Sequence, residues 1–533
     1  MDLRQRWLFS SIVLIAALLL ALGYPSDAWC QGFQGVLTYH NDDARTGQNL
    51  SETVLTPANV NSSAFGKLIS YPVDGYIYAQ PLYVPSVTFP HKGGVHNVVY
   101  VATEHDSVYA FDADGMSASP LWHRSFINFR TGIGTVPTPL VGTDDIKPEI
   151  GITGTPVIDP STGTLYVVAK TINRAGVVQH HLHALDITTG KEKFGGPRLI
   201  TASVHGTGDA NKHRKISFNA LLANQRSALL LANGIIYIAF ASHGDKGSYH
   251  GWLFAYTARG LGRVAVLNST PNGSKGGIWQ GSNAPAVDAN GNIYFGISNG
   301  TFDVDAGGSD YGDSLVRATL SKHTISIADY FTPFDESFLE GDDLDVGSSG
   351  ALLLPDPGPA HLAVTADKNG TIYLLNRDSL GHFNPSDDSQ IVQELFQVTG
   401  KVICPFAYFN NSVYFVAVNG ALTSIPLVGG LFDTGAINVA SPPVGFPGAS
   451  LSISANGAAD GIVWMIKDDA FNSGPSILFA YDASDLSELY DSSQAPGGRD
   501  TAGFAVKFTT PTIANGRVYL GTQTELDVYG LLP

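Results

Sequence analysis

The chain has 533 residues, with 59 glycines, 29 prolines, 10% aromatic residues and only 14% charged residues. This turn-rich composition can bury a large core. The formal net charge of -17 speaks against nucleic acid as a partner, because no basic stripe is present to neutralise phosphates.

In chain order, the first element is a secretory signal over residues 1–30. Arg4 and Arg6 precede an apolar run from Ile12 to Leu22, and Tyr24-Pro25 leads into a more polar stretch ending at Cys30, the n-, h- and c-regions of an export signal. Cleavage is expected before Gln31, with Ala28 and Cys30 at the recognition positions. The apolar run is short for a spanning helix, and bulky Trp29 before Cys30 disfavours a lipid anchor. The mature chain is therefore expected to be secreted or periplasmic and not an integral membrane protein. Only Cys404 then remains, so an internal disulfide is ruled out even in an oxidising compartment.

Residues 31–64 read as an extended N-terminal segment, and residues 65–533 as one domain, since no linker or charge run divides them. An apolar strand built around an aromatic residue recurs eight times: NVVYVAT from Asn97, GTLYVVAK from Gly163, GIIYIAF from Gly234, GNIYFGIS from Gly291, HLAVTADKNGTIYLL from His361, NSVYFVAV from Asn411, GIVWMIK from Gly461 and GRVYLGT from Gly516. A repeat of roughly 50 to 70 residues matches one four-stranded propeller blade. The fold predicted is all-β: an eight-bladed β-propeller of four-stranded antiparallel blades. The last repeat supplies three strands before Pro533, and the alternating segment Phe65 to Val73 is predicted to be the missing outer strand. Pairing of the two ends then closes the ring and leaves no open edge.

The segment Ala184-Leu-Asp186-Ile-Thr-Thr189-Gly190-Lys191-Glu-Lys-Phe194 matches the signature A-x-D-x-x-T-G-x-x-x-W with Phe194 in the Trp place, and looser copies run from Ala480 to Tyr490 and from Ala110 to Trp122. In these residues, and in the opening stretch TYHNDDARTGQNLSETVLTPANV, the chain resembles the quinoprotein (pyrroloquinoline quinone, PQQ) dehydrogenase-type propellers and their PQQ-like repeat relatives. The resemblance implies that the signature aromatic docks one blade on the next. It also implies a cofactor site of PQQ and calcium. Asp345, in FLEGDDLDVGSSGALLL, falls at the family's catalytic Asp and would take the alcohol proton. Lys368, in the D-[RK]-N-G element Asp367-Lys368-Asn369-Gly370, matches the basic residue that bonds the cofactor. Trp279 falls within two residues of the Trp that stacks on the quinone. Asn299, with Asp345, falls among the Ca²⁺ ligands.

Two departures stand against a working alcohol dehydrogenase of that family. The adjacent Cys-Cys pair that covers the quinone has no counterpart, and the Glu ligand position falls at Lys246, with Asp245 next door as a substitute ligand. No C-x-x-C-H heme motif is present. The Asp303-x-Asp305 loop lacks the full calcium-loop pattern, and the histidines, among them His180, His181, His183, His243 and His250, read mostly as hydrogen-bonding groups in loops or between blades. The leading expectation is a binding or scaffold protein with a degenerate quinoprotein site, taking a small-molecule ligand or an envelope protein as partner. The alternative is a divergent PQQ- and calcium-dependent dehydrogenase of alcohols or sugars.

Overall fold

The computed structural model describes residues 35–533 except 91–92, 116 and 356–360. The signal peptide expected over residues 1–30 lies outside the described residues.

Each of the eight aromatic repeats supplies the second strand of one blade. The eight blade sheets follow the chain, and their second strands are Val95–Thr103, Thr164–Ile172, Ile235–Ser242, Ile293–Ile297, Leu362–Ala366, Ser412–Val416, Ala459–Lys467 and Arg517–Gly521. Blade 1, for example, runs Leu82–Thr88, Val95–Thr103, Ser107–Asp112 and Trp122–Ser125 in antiparallel register. The only α-helix among the described residues is Glu336–Gly341.

Ring closure joins the two ends of the domain. Blade 8 has Thr512–Ala514 innermost, then Arg517–Gly521 and Glu525–Leu531, and its outer strand is Phe65–Pro72, antiparallel to Glu525–Leu531 from Phe65↔Leu531 to Pro72↔Glu525. Lys67 fixes this seam by an ion pair of 2.7 Å to the fully buried Asp527.

In three of the eight repeats the aromatic residue ties its blade to the next. Tyr100 of blade 1 donates its hydroxyl to Ile187 O of blade 2, Tyr166 of blade 2 to Ala258 O of blade 3, and Tyr414 of blade 6 to Ala483 O of blade 7. The ring fills the interblade core while its hydroxyl satisfies a carbonyl at the neighbouring hairpin, which a Phe leaves bare at a cost of about 1 kcal/mol. The signature aromatics also dock blades. Trp122 donates Nε1 to Ile187 O and lies so close to Gly190 that a Cβ there meets its ring at 2.6 Å. Phe194 packs on the cluster that blades 2 and 3 share.

The segment after residue 35 runs through the axial channel. Its backbone bonds the innermost strand of one blade after another: Val36 pairs with Tyr83, Leu37 O accepts from Ile158 N, Asp43 O from Val287 N, Ala44 O from Leu353 N, Thr46 O from Tyr408 N and Gly47 O from Ile453 N. Asn49 Nδ2 then reaches Ile513 O in blade 8 at 3.0 Å. A buried chain needs such partners, because an unpaired peptide group away from water is costly. Arg45, fully buried, locks the segment. Its guanidinium donates to Pro285 O from both Nε and Nη2, and Nη1 donates to Thr38 Oγ1, Tyr39 O and Asp42 O. One end of the channel is thereby plugged.

Candidate functional site

The residues just before each innermost strand turn in towards the axis at the end away from the plug. They enclose a cavity of about 480 Å³ lined by Arg226 ahead of Leu230–Ala232, Trp279 ahead of Ala286–Val287, Asp345 ahead of Leu352–Leu353, Phe446 ahead of Leu451–Asn456, and Lys507 and Phe508 ahead of Thr512–Ala514. Tyr39 of the plug packs beneath, against Ala228 and Ala284. The inner turns are tightly fitted: Gly281 has φ 53°, and a Cβ there comes to 2.1 Å from Ile403 O. Asp245, Asp343 and Phe508, which line the cavity, have left-handed backbone, as do Gln280 and Ser282 just after Trp279, with Ser282 at φ 90°.

Trp279, Asn299, Asp345, Lys368 and Asp245 all line this one cavity. Asp345 is 1% exposed. Its Oδ2 accepts from Trp279 Nε1 at 3.3 Å and from the Ser348 hydroxyl at 2.9 Å, and its Oδ1 is ion-paired with Lys368. Lys368 also pairs with Asp343 Oδ1 at 3.0 Å and lies 5.3 Å from the Trp279 ring centre. Burial opposes the Lys368 charge, but the Asp345 and Asp343 carboxylates outweigh it and hold the ammonium well above the usual lysine range. Burial likewise works against an ionised Asp343, and Lys368 with Asn299 nevertheless holds it below its ordinary value. The fully buried Asp313, which accepts from Val346 N, is raised well above its usual range by burial and then by repulsion from Asp345.

The donors expected to hold calcium are partly engaged by other groups. Asp245 is engaged by the hydroxyls of Tyr249 and Ser242. Asn299 turns its Nδ2 to Asp343 at 2.7 Å, and the Lys368 ammonium stands between Asp343 and Asp345, where a dication would meet its like charge. Among the described residues no group of three His, Cys, Asp or Glu side chains is arranged to hold a metal ion. The expected metal set of Asn299, Asp345 and Asp245 lies together at the cavity; the two carboxylates have other partners, whereas Asn299 Oδ1 is buried with no hydrogen-bond partner among the described residues. Lys246, at the position of the expected Glu ligand, is exposed and is not among the cavity-lining residues. In the Asp303 loop, Asp303 Oδ1 is taken by the Asp310 N–H at 2.9 Å.

Arg226, Lys368, Lys401 and Lys507 line the cavity together with Asp145, Asp245, Asp343 and Asp345, so four cations face four carboxylates. Phe508 presents its edge to Trp279 with ring centres 6.2 Å apart and carries the Arg226 guanidinium 4.1 Å from its own ring centre. Behind this wall, Lys170 donates to Leu221 O, Ala223 O and, at 2.7 Å, His243 Nε2. Burial brings Lys170 down to about 7, and burial, then Lys170, pushes His243 well below the usual imidazole range.

Sequence reasoning missed Arg226, Lys401, Lys507 and Phe508. The signal that finds them is positional: each stands a few residues before an innermost strand, as Trp279 and Asp345 do. The histidines behave as read from the sequence, as hydrogen-bonding groups. His183 bonds Glu192, and His250 bonds Thr270 and Asp209.

No sequence family of known proteins and no curated protein matches the chain. Solved structures do. A quinohemoprotein alcohol dehydrogenase from Pseudomonas putida HK5 superposes with a TM-score of 0.58 at 13% identity, over 93% of this chain and 80% of that one. The quinohemoprotein alcohol dehydrogenase from Comamonas testosteroni gives 0.58 at 15% over the same shares. A europium-containing methanol dehydrogenase gives 0.58 at 14%, over 93% of this chain and 98% of the other. At these identities the likeness establishes the fold: the chain has the eight-bladed architecture of the quinoprotein dehydrogenases. Among the described residues no helix is long and apolar enough to cross a membrane.

Proposed function

We propose that this chain is an exported quinoprotein-like propeller that binds a planar aromatic anion of the quinone-carboxylate class, PQQ being the type example, in the axial cavity. One observation carries the reading: Trp279, Lys368 and Asp345 contact one another inside a cavity lined by four cationic side chains and four aspartates, where the Arg226 guanidinium keeps donors without partners. A flat indole face receives a planar ring, and the ammonium and guanidinium groups receive carboxylates or carbonyl oxygens by charge-assisted bonds. The leader read over residues 1–30 supports a secreted or periplasmic location.

A second reading, oxidation of an alcohol or sugar, is favoured by the burial of Asp345 against Trp279. A bound quinone supplies the two-electron sink. Asp345 is the residue to accept the hydroxyl proton of a substrate, and Lys368 is ion-paired with its Oδ1. Ser348 and Trp279 fix its orientation through Oδ2. The cavity shields the reacting groups from bulk water.

The two readings separate in one experiment. The mature protein is titrated with PQQ, with and without Ca²⁺, while tryptophan fluorescence and the quinone absorbance are followed, and dye-coupled oxidation of alcohols and sugars is then assayed. Micromolar binding independent of Ca²⁺ without turnover supports the binding reading, and turnover supports the dehydrogenase. Absence of both sinks the proposal.

A further inference from the structure

Arg226 is the least satisfied charged group in the cavity. It is 5% exposed, lines the cavity, and its Nε and Nη2 are buried with no hydrogen-bond partner among the described residues. A buried guanidinium ordinarily meets a carboxylate or a set of carbonyls, because its donors are costly to strand. Arg45 in the same fold shows that solution, with carbonyl and hydroxyl oxygens around it. Arg226 instead lies on aromatic rings, 4.1 Å from the centre of Phe508 and 5.5 Å from that of Tyr78. These stacks fix the plane of the fork and leave its edge donors unspent.

A second cation stands beside it, with one partly exposed carboxylate. Lys507, from blade 8, lines the same cavity over Phe446, Phe471 and Phe508, and its nearest carboxylate is the half-exposed Asp145 at 3.6 Å. Lys368, by contrast, is already engaged by Asp343 and Asp345. The cavity thus has one pole whose charges are mutually satisfied and another whose guanidinium has open donors.

We infer that Arg226, assisted by Lys507, is an oxyanion subsite that anchors a carboxylate of the cavity ligand, while Trp279 and Phe508 hold its aromatic body. The inference rests on the ligand class proposed above and adds which residue reads the ligand's charge. Arg226 is a binding residue and takes no part in proton transfer.

The test compares two planar ortho-quinones on the mature protein by calorimetry and tryptophan quenching: PQQ, which carries carboxylates, and 1,10-phenanthroline-5,6-dione, which carries none. Arg226→Met is expected to weaken PQQ at least about tenfold, the value of a lost charge-assisted bond, and to leave the dione within about twofold. Arg226→Lys, which keeps a charge without the fork, is expected to fall between them. It also stands in should the methionine variant fail to fold by circular dichroism. Equal weakening of both ligands, or an unchanged PQQ affinity, overturns the subsite.

Benzene-1,3,5-tricarboxylate separates this inference from the reading beneath it. If wild type binds neither quinone but is stabilised by the tricarboxylate, and Arg226→Met abolishes that stabilisation, the subsite stands and the quinone reading falls. If no carboxylate ligand binds wild type, the subsite is overturned as well.

Discussion

Trp279 Nε1 donates to Asp345 Oδ2 over 3.3 Å, so the largest flat side chain in the cavity and its most buried carboxylate are held as one unit. Asp345→Asn keeps the size and one acceptor oxygen while removing the charge. On the dehydrogenase reading it is expected to lower dye-coupled turnover by about 100-fold or more and to leave quinone affinity nearly unchanged. Turnover within a few-fold of wild type would remove Asp345 from the chemistry.

Lys368 holds together two carboxylates that otherwise repel. Lys368→Met leaves Asp345, with a side chain 1% exposed, without its cation, a loss of about 3 kcal/mol for breaking a buried pair from one side. Chemical denaturation at neutral pH is the measurement. The deficit should shrink on acidification, as Asp343, which Lys368 holds below its ordinary value, takes up a proton.

Arg45 donates five hydrogen bonds from a fully buried position. Arg45→Met strands the carbonyls of Pro285, Tyr39 and Asp42, and a destabilisation of about 3 kcal/mol is expected from several lost buried bonds. The site is expected to loosen with it, because Pro285 follows the turn that carries Trp279. A denaturation midpoint equal to wild type would show that the plug tolerates the change.

Glu104 is fully buried and accepts from Gly151 N at 2.7 Å. Burial pushes its carboxyl up from 4.5 to about 7, so between those pH values the folded state keeps a proton that the unfolded chain has released. Stability from this group is therefore present at low pH and is lost as pH rises through about 7. Glu104→Gln retains the acceptor and removes the titration. The variant should gain on wild type by on the order of 2 kcal/mol between pH 5 and 8; parallel stability curves for the two proteins over that range would contradict the assignment.

Removal of residues 31–73 strips the outer strand from blade 8 and bares Glu525–Leu531 as an open edge. Loss of a single cooperative calorimetric transition, with concentration-dependent association, is the expected outcome. Retention of one sharp transition would mean that the ring closes without this strand.

The architecture was legible because each blade repeats the same physical problem, a buried strand that needs an aromatic ring and a tight turn, and eight solutions to it stand in the sequence. The convergence of Trp279, Asn299, Asp345, Lys368 and Asp245 was legible through family resemblance. Their partners were not. Nothing local in Asp343-Leu-Asp345 says that one lysine will bridge both carboxylates, because Lys368 arrives from the next hairpin. Arg226 and Phe508 were hidden for the same reason: they meet across the axis from blades 3 and 8, and no periodicity reports a contact at that separation. The plug was silent too, since its bonds come from backbone atoms that any residue supplies.

The plug also fixes the order in which the molecule becomes complete. Asn49 lies 464 positions before Ile513, whose carbonyl it bonds, and Glu52 accepts from Gly516 N across the same separation. Residues made first thus wait for residues made last. Contacts of such high order are slow to form, and intermediates with unsealed strands are prone to associate. The cavity floor and the last blade mature together, so a chain interrupted before blade 8 has blades but no finished site.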